Sequence, residues 1–279
     1  MSQSTFLYGG NVAANGIRQH YLRYGPASDT QAPVLLLIPG ITSPAITWGF
    51  VAEVFGQYFD TYILDARGRG LSSSGEGLDY GTDTCADDIN AFAEALGLSQ
   101  YHLVGHSMGA RFIMRAAVRR PEGVLSLSLI DPPVSGPGRR EYPGKWPWYS
   151  DSIRQSLVGM NAQDMLAFCP SWTFEQRQLR AEWLGTCYEP AIRRAFDDFH
   201  QVDIHGDFAK LPAPTLLMVA GKGGVILEED RREIRTLLPE IHISDVPNAG
   251  HMIPWDDFDG FFQAFGNFLG TTLHPAGEK

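Results

Sequence analysis

The stretch "YHLVGHSMGARF", residues 101–112, decides how this chain is read. A short apolar run leads into Gly-His-Ser-Met-Gly, and helix-forming residues follow. A turn from strand into helix is sharp, and glycine on either side of the serine lets the backbones cross and the serine project. Gly-X-Ser-X-Gly alone is weak, since an ordinary turn can contain it. With a strand before and a helix after, Ser107 is the candidate nucleophile.

Outward from that point the chain alternates strand-like and helix-like segments. "APVLLLIPG" (32–40), "YFDTYILDARGRG" (58–70), "VLSLSLID" (124–131), "PTLLMVAG" (214–221) and "IHISDV" (241–246) are candidate strands, several of them near-continuous apolar runs. Such runs suit strands covered on both faces of a parallel sheet. Asn15-Gly16 sits between two further candidate strands and signals a tight hairpin. "TDTCADDINAFAEAL" (82–96) has acidic residues early and Gly97 just past its end, as a capped helix would. The expected class is therefore α/β, with a mostly parallel central sheet and helices on both faces.

About eighty residues separate the strand ending at Asp131 from the one beginning near Pro214, far more than a crossover needs. This segment holds "GPGRREYPGKWPWY" and amphipathic stretches bearing Trp172, Trp183 and Tyr188. It reads as an inserted helical cap, residues 133–210, on a core made of 1–132 and 211–279. "WDDFDGFFQAFGNFLG" (255–270) reads as one closing helix, apolar on one face.

The 279 residues, 44% of them hydrophobic, suffice for one domain with an insertion. A net charge of −10 argues against nucleic acid or an anionic membrane as partner. Cys85, Cys169 and Cys187 show no metal-type spacing and read as reduced thiols. The start, "MSQSTFLYGG", lacks a signal-peptide pattern, and no apolar run is long enough to span a bilayer, so a cytoplasmic location is expected. No HExxH or Cys/His cluster occurs and "GKGG" is not a full phosphate loop, so no metal or nucleotide is expected.

A serine hydroxyl needs a base. His251, in "VPNAGHMIPWDDF" between the last strand and the last helix, is placed to reach back over the sheet. His20, His102 and His242 fall within strands, His200 and His205 within the cap, and His274 in the tail. His106 adjoins the serine but points from the other side of the turn, as a wall residue or a buried imidazole bonded to backbone. The imidazole needs a carboxylate to hold its tautomer. The loop after "TLLMV", Gly221 to Val225, supplies none. Glu228, Glu229 and Asp230 open a helix, where acidic residues serve the dipole. Asp131 ends the preceding strand, where catalytic groups of open α/β sheets gather, and is preferred, with the Glu228 group as alternative. The backbone N–H groups of Met108 and Ile41 would form an oxyanion hole.

"LIPG", "DARGRGLS", "GHSMG" and "AGHMIP" together resemble the α/β-hydrolases over about residues 15–270. "GNVAANGIRQHYLRYG", "GITSPAITWGFVAE", "DPPVSGPGRR", "CYEPAIRRAFDDFH" and "NAGHMIPWDD" more narrowly resemble the N-formylmaleamate deformylase family of aerobic nicotinate breakdown. That resemblance implies an α/β-hydrolase fold, a triad of Ser107, His251 and Asp131, a small anionic amide as substrate, and no metal or organic cofactor. It implies hydrolysis of N-formylmaleamate to maleamate and formate through a formyl-enzyme. A substrate carboxylate would call for a cation, with Arg111, Arg139 and Arg140 as candidates, and Trp146, Trp148 and Trp183 could line the lid. A hydrolase of another small acidic amide, ester or ring-fission product is the near alternative, and a non-catalytic receptor the distant one. Nothing in the residues sets an oligomeric state.

Overall fold

The computed structural model describes residues 4–26 and 31–273. Strands β1 (Phe6–Ala14) and β2 (Ile17–Tyr24) form the hairpin, with Asn15 at φ 47° and Gly16 at φ 73°. Both turn residues are left-handed, the twist that a two-residue hairpin loop needs. Then follow β3 (Val34–Ile38), α1 (Gly49–Phe55), β4 (Asp60–Leu64), α2 (Thr82–Ala95), β5 (Tyr101–His106), α3 (Met108–Arg119) and β6 (Val124–Ile130). The long segment after β6 carries α4 (Trp146–Leu157), α5 (Phe174–Leu184), α6 (Glu189–Gln201) and α7 (His205–Phe208). The chain returns through β7 (Thr215–Ala220), α8 (Glu228–Leu237), β8 (His242–Val246), α9 (Ile253–Asp256) and α10 (Phe258–Leu269).

The strands lie in the order β1-β2-β4-β3-β5-β6-β7-β8. The pairs β1 with β2 and β2 with β4 are antiparallel, and the others parallel. Successive residues of the apolar runs serve opposite faces. Leu36 and Ile38 pack with Ile89, Phe92 and Ile113 of α2 and α3, while Leu35 and Leu37 pack with Val51 and Phe55 of α1 and Phe261 and Phe265 of α10. In β7, Leu217 and Val219 go one way and Leu216 and Met218 the other. A strand with a helical layer on each side has no polar face, so its sequence does not alternate.

The chain leaves β3 toward β4 on one side and resumes at β5 on the other, so the strand order reverses between β3 and β5. Ligand crevices of such sheets form at this reversal, beyond the carboxyl ends of the strands. The closing helix is not one piece. It breaks at Asp257 (φ −147°), whose carboxylate accepts the Gly260 N–H at 2.9 Å and so starts α10 afresh. An aspartate offering an N-cap competes with helix continuation, and here the cap wins.

Candidate active site

Ser107 stands between β5 and α3 at φ 53°, ψ −116°, a left-handed conformation that costs a non-glycine residue about 1–3 kcal/mol. The two flanking glycines have distinct steric reasons. A Cβ on Gly105 would lie 2.5 Å from the Gly109 oxygen, and one on Gly109 would lie 2.0 Å from the Ile38 oxygen. Only hydrogen at both positions lets α3 start against the ends of β3 and β5.

Parallel register brings the loop after β3 beside this turn. Ile38 pairs with Gly105, so three residues further on in each strand's exit come Ile41 and Met108. Their backbone N–H groups donate to no described residue. Ile41 is itself held, because its carbonyl accepts the buried Arg69 Nε–H at 3.1 Å.

His251 Nε2 lies 3.0 Å from Ser107 Oγ, and His251 Nδ1 lies 2.6 Å from Asp131 Oδ2. Asp131 is fully buried, sits at φ 45° just past β6, and its Oδ1 accepts the Ala220 N–H at 3.3 Å from β7. A carboxylate on Nδ1 keeps the proton there and leaves Nε2 bare toward the serine. The Glu228 group lies elsewhere: Glu228 and Glu229 are exposed, and Asp230 is 2.6 Å from Arg140 and caps α8.

His106 Nε2 is 2.9 Å from the His251 carbonyl oxygen, so that nitrogen donates and fixes the backbone of the closing loop. Burial, aided by repulsion from His251, pulls the His106 pKa down to about 3, so the ring is neutral. The other histidines serve structure. His20 meets Asp65 at 2.7 Å, His102 meets Ser126 at 2.8 Å, His200 meets the Phe196 carbonyl at 3.1 Å and His205 meets Asp203 at 2.9 Å. His242 is exposed in β8, and His274 lies outside the described residues.

Above the serine is a pocket of roughly 350 Å³ bounded by the loop after β3, the closing loop and the long insertion. Residues not singled out from the sequence now enter. The Tyr142 hydroxyl stands 3.5 Å from His251 Nε2 and 3.2 Å from the Tyr149 hydroxyl. Burial first, then the neighbouring Tyr149, raises the Tyr142 phenol well above its ordinary pKa and keeps it a neutral donor. Trp148, which the sequence offered as a lining residue, does line the pocket, with Trp172 on the other side of Arg180, while Lys145 and Asp256 are its other charged residues.

The arginines expected to face a substrate do not. Arg111 is buried, but its guanidinium donates to the carbonyls of Pro133, Ser135, Asp198 and Val202 at 2.5–3.2 Å, which ties α3 to both ends of the insertion. Its Nη1 and Nη2 are both engaged by backbone carbonyls, and burial lowers its pKa to about 10. Arg139 is paired with Glu233 at 2.7 Å, and Arg140 with Asp230 at 2.6 Å, both outside the pocket lining. Trp146 packs on Phe196 with Arg193 over its face, and Trp183 is half-buried on α5, so neither lines the pocket. All three cysteines are buried, and burial pushes the thiols of Cys85 and Cys187 up to about 12.

A family model described as the alpha/beta hydrolase fold matches residues 33–258. N-formylmaleamate deformylase of Pseudomonas putida is 68% identical over 270 residues, which cover 97% of this chain and 99% of that protein. A crystal structure of N-formylmaleamic acid deformylase, also from Pseudomonas putida, superposes with a TM-score of 0.88 at 51% identity, covering 92% of this chain and all of that one. E-2-(acetamidomethylene)succinate hydrolase superposes with a TM-score of 0.77 at 21% identity, covering 95% of this chain and all of that one, a likeness of fold alone. The chain belongs to the alpha/beta hydrolase fold family and, within it, to the family of the N-formylmaleamate deformylases.

Proposed function

We propose that this hydrolase releases formate from N-formylmaleamate, with Ser107 as nucleophile, His251 as general base and acid, and Asp131 as the carboxylate that orients the imidazole. The observation that carries this reading is the run of contacts from Ser107 Oγ through His251 to Asp131 beneath a pocket, in a chain 68% identical to an N-formylmaleamate deformylase.

Ser107 Oγ attacks the formyl carbon while His251 Nε2 takes its proton. The oxyanion is received by the Ile41 and Met108 N–H groups, which have no other acceptor among the described residues. Each such donor is worth about 3–4 kcal/mol of transition-state stabilisation. His251 then gives the proton to the departing nitrogen, and maleamate leaves. That nitrogen keeps its other acyl group, so it departs as an amide, which is easier than departure as an amine. A water loses a proton to His251 and attacks the formyl ester, and collapse returns the proton to Ser107 Oγ and frees formate. Asp131 carries its charge throughout and stabilises the transient imidazolium.

The test is formate release from N-formylmaleamate by the purified protein, measured beside the Ser107→Ala variant. Turnover by the native chain and none by the variant supports the reading. Absence of formate from the native chain overturns it.

A further inference from the structure

The pocket contains a buried cation that has no anion. Arg180, on α5, is 3% exposed and lines the pocket. Its Nη1 donates to the Thr42 carbonyl at 3.1 Å and its Nη2 to Thr42 Oγ1 at 2.9 Å. The Cys169 thiol is the other polar side chain beside the guanidinium, but the Arg180 Nε–H donates to no described acceptor, and no described carboxylate forms an ion pair with Arg180. Trp148 and Trp172 flank the guanidinium, their ring centroids 5.6 and 5.5 Å from its carbon.

Buried arginines elsewhere in the described residues are satisfied differently. Arg67 meets Asp88 at 2.5 Å. Arg69 and Arg111 spend their donors chiefly on backbone carbonyls and stand outside the pocket lining. Arg180 combines burial, an unused Nε–H and an opening onto the pocket. A guanidinium withdrawn from water normally has a carboxylate or phosphate to face. The other charged side chains here do not fill that role. Lys145 is largely exposed near Glu141, and Asp256 accepts from Ser171 Oγ at 3.0 Å and the Gly250 N–H at 2.9 Å.

We propose that Arg180 is the receptor for the substrate's carboxylate, using the edge formed by Nε–H and the remaining N–H of Nη2. This rests on the deformylase reading above and names the group that sets its specificity. The planar edge matches a carboxylate with two parallel hydrogen bonds, and the indole faces hold the plane in place. Thr42, which anchors the guanidinium, directly follows Ile41 of the oxyanion site. One residue of backbone therefore links the anion receptor to the group that receives the developing oxyanion. The compounds selected are linear acyl compounds with a carboxylate at the end remote from the scissile bond.

The experiment compares kcat/KM for N-formylmaleamate with that for its analogue carrying a primary carboxamide in place of the carboxylate. The native enzyme should prefer the acid by about 100-fold or more, as for a truncated buried charge pair. In Arg180→Met the preference should collapse, mainly through KM, with Arg180→Lys intermediate because it keeps charge and loses the fork. A native enzyme without preference, or a preference kept in Arg180→Met, overturns the proposal. If Arg180→Met fails to fold, Arg180→Lys decides: a preference kept at the native level in that variant overturns the proposal. A second arm uses maleamate as inhibitor of aryl formate hydrolysis. Inhibition that depends on Arg180 while N-formylmaleamate goes unhydrolysed would remove the deformylase reading and keep the anion receptor. Normal formate release with inhibition independent of Arg180 would do the reverse.

Discussion

Gly223 leaves open the space beside Asp131: a Cβ on it would lie 3.3 Å from Asp131 Oδ2, 3.3 Å from the His251 backbone nitrogen and 2.7 Å from the Ala220 Cβ. The loop after β7 lacks a carboxylate and instead makes room for one arriving from β6. Gly223→Ala should push the acid and the imidazole apart and lower kcat about 10- to 100-fold, since sub-ångström alignment carries that much of the rate. Steady-state kinetics with KM resolved from kcat would show it, and an unchanged kcat would mean that the loop has slack.

Removing the charge of Asp131 alone should be far more damaging. Asp131→Asn is expected to cost about 10⁴ in kcat, because the amide offers Nδ1 the wrong partner and favours the wrong tautomer. Glu228→Gln should leave the rate near native, as Glu228 is exposed and faces Arg232 at 3.3 Å. The opposite pattern in the pair would reassign the acid.

Arg111 should report on stability. Arg111→Met leaves the carbonyls of Pro133, Ser135 and Val202 without their side-chain donor, the Asp198 carbonyl keeping the Val202 N–H, and each buried unpaired group costs about 1–3 kcal/mol. Urea unfolding should show a loss of at least about 2 kcal/mol, while turnover per folded molecule stays close to native. A stable variant with a raised KM would instead return Arg111 to the substrate.

His106 gives the fold an acid sensitivity. Its folded pKa is pulled to about 3, against about 6.5 in the unfolded chain. Between those values the unfolded state binds a proton that the folded state refuses, so stability falls as pH drops through 6.5 toward 3. The slope of this contribution approaches about 1.4 kcal/mol per pH unit. Urea unfolding free energies at pH 7 and 4.5 should show the native chain losing about 2.5 kcal/mol more than His106→Asn does. Equal losses would mean that His106 takes up a proton in the fold.

Much of the fold was legible because its signals are local. The apolar runs of β3 and β7 announce strands covered on both faces, and Asn15-Gly16 announces a turn whose φ values few other pairs tolerate. The closing helix was misread at Asp257 because a side-chain cap and a continuing helix differ by little, and the packing of Phe258, Phe261 and Phe262 decides between them.

By itself the sequence determined that a serine would stand on a strained strand-to-helix turn, since the signal is local: a strand, Gly-X-Ser-X-Gly and a helix in one run, with Gly105 leaving room for the Gly109 backbone, although the Ile38 oxygen that also demands Gly109 arrives from β3. Only the tertiary structure decided which arginine faces the pocket. Arg111 follows Ser107 by one helical turn and yet points into carbonyls, whereas Arg180 reaches Thr42 across 138 residues of chain. A guanidinium goes where unpaired acceptors or aromatic faces await it, and those are assembled by packing between distant segments, which no local pattern records.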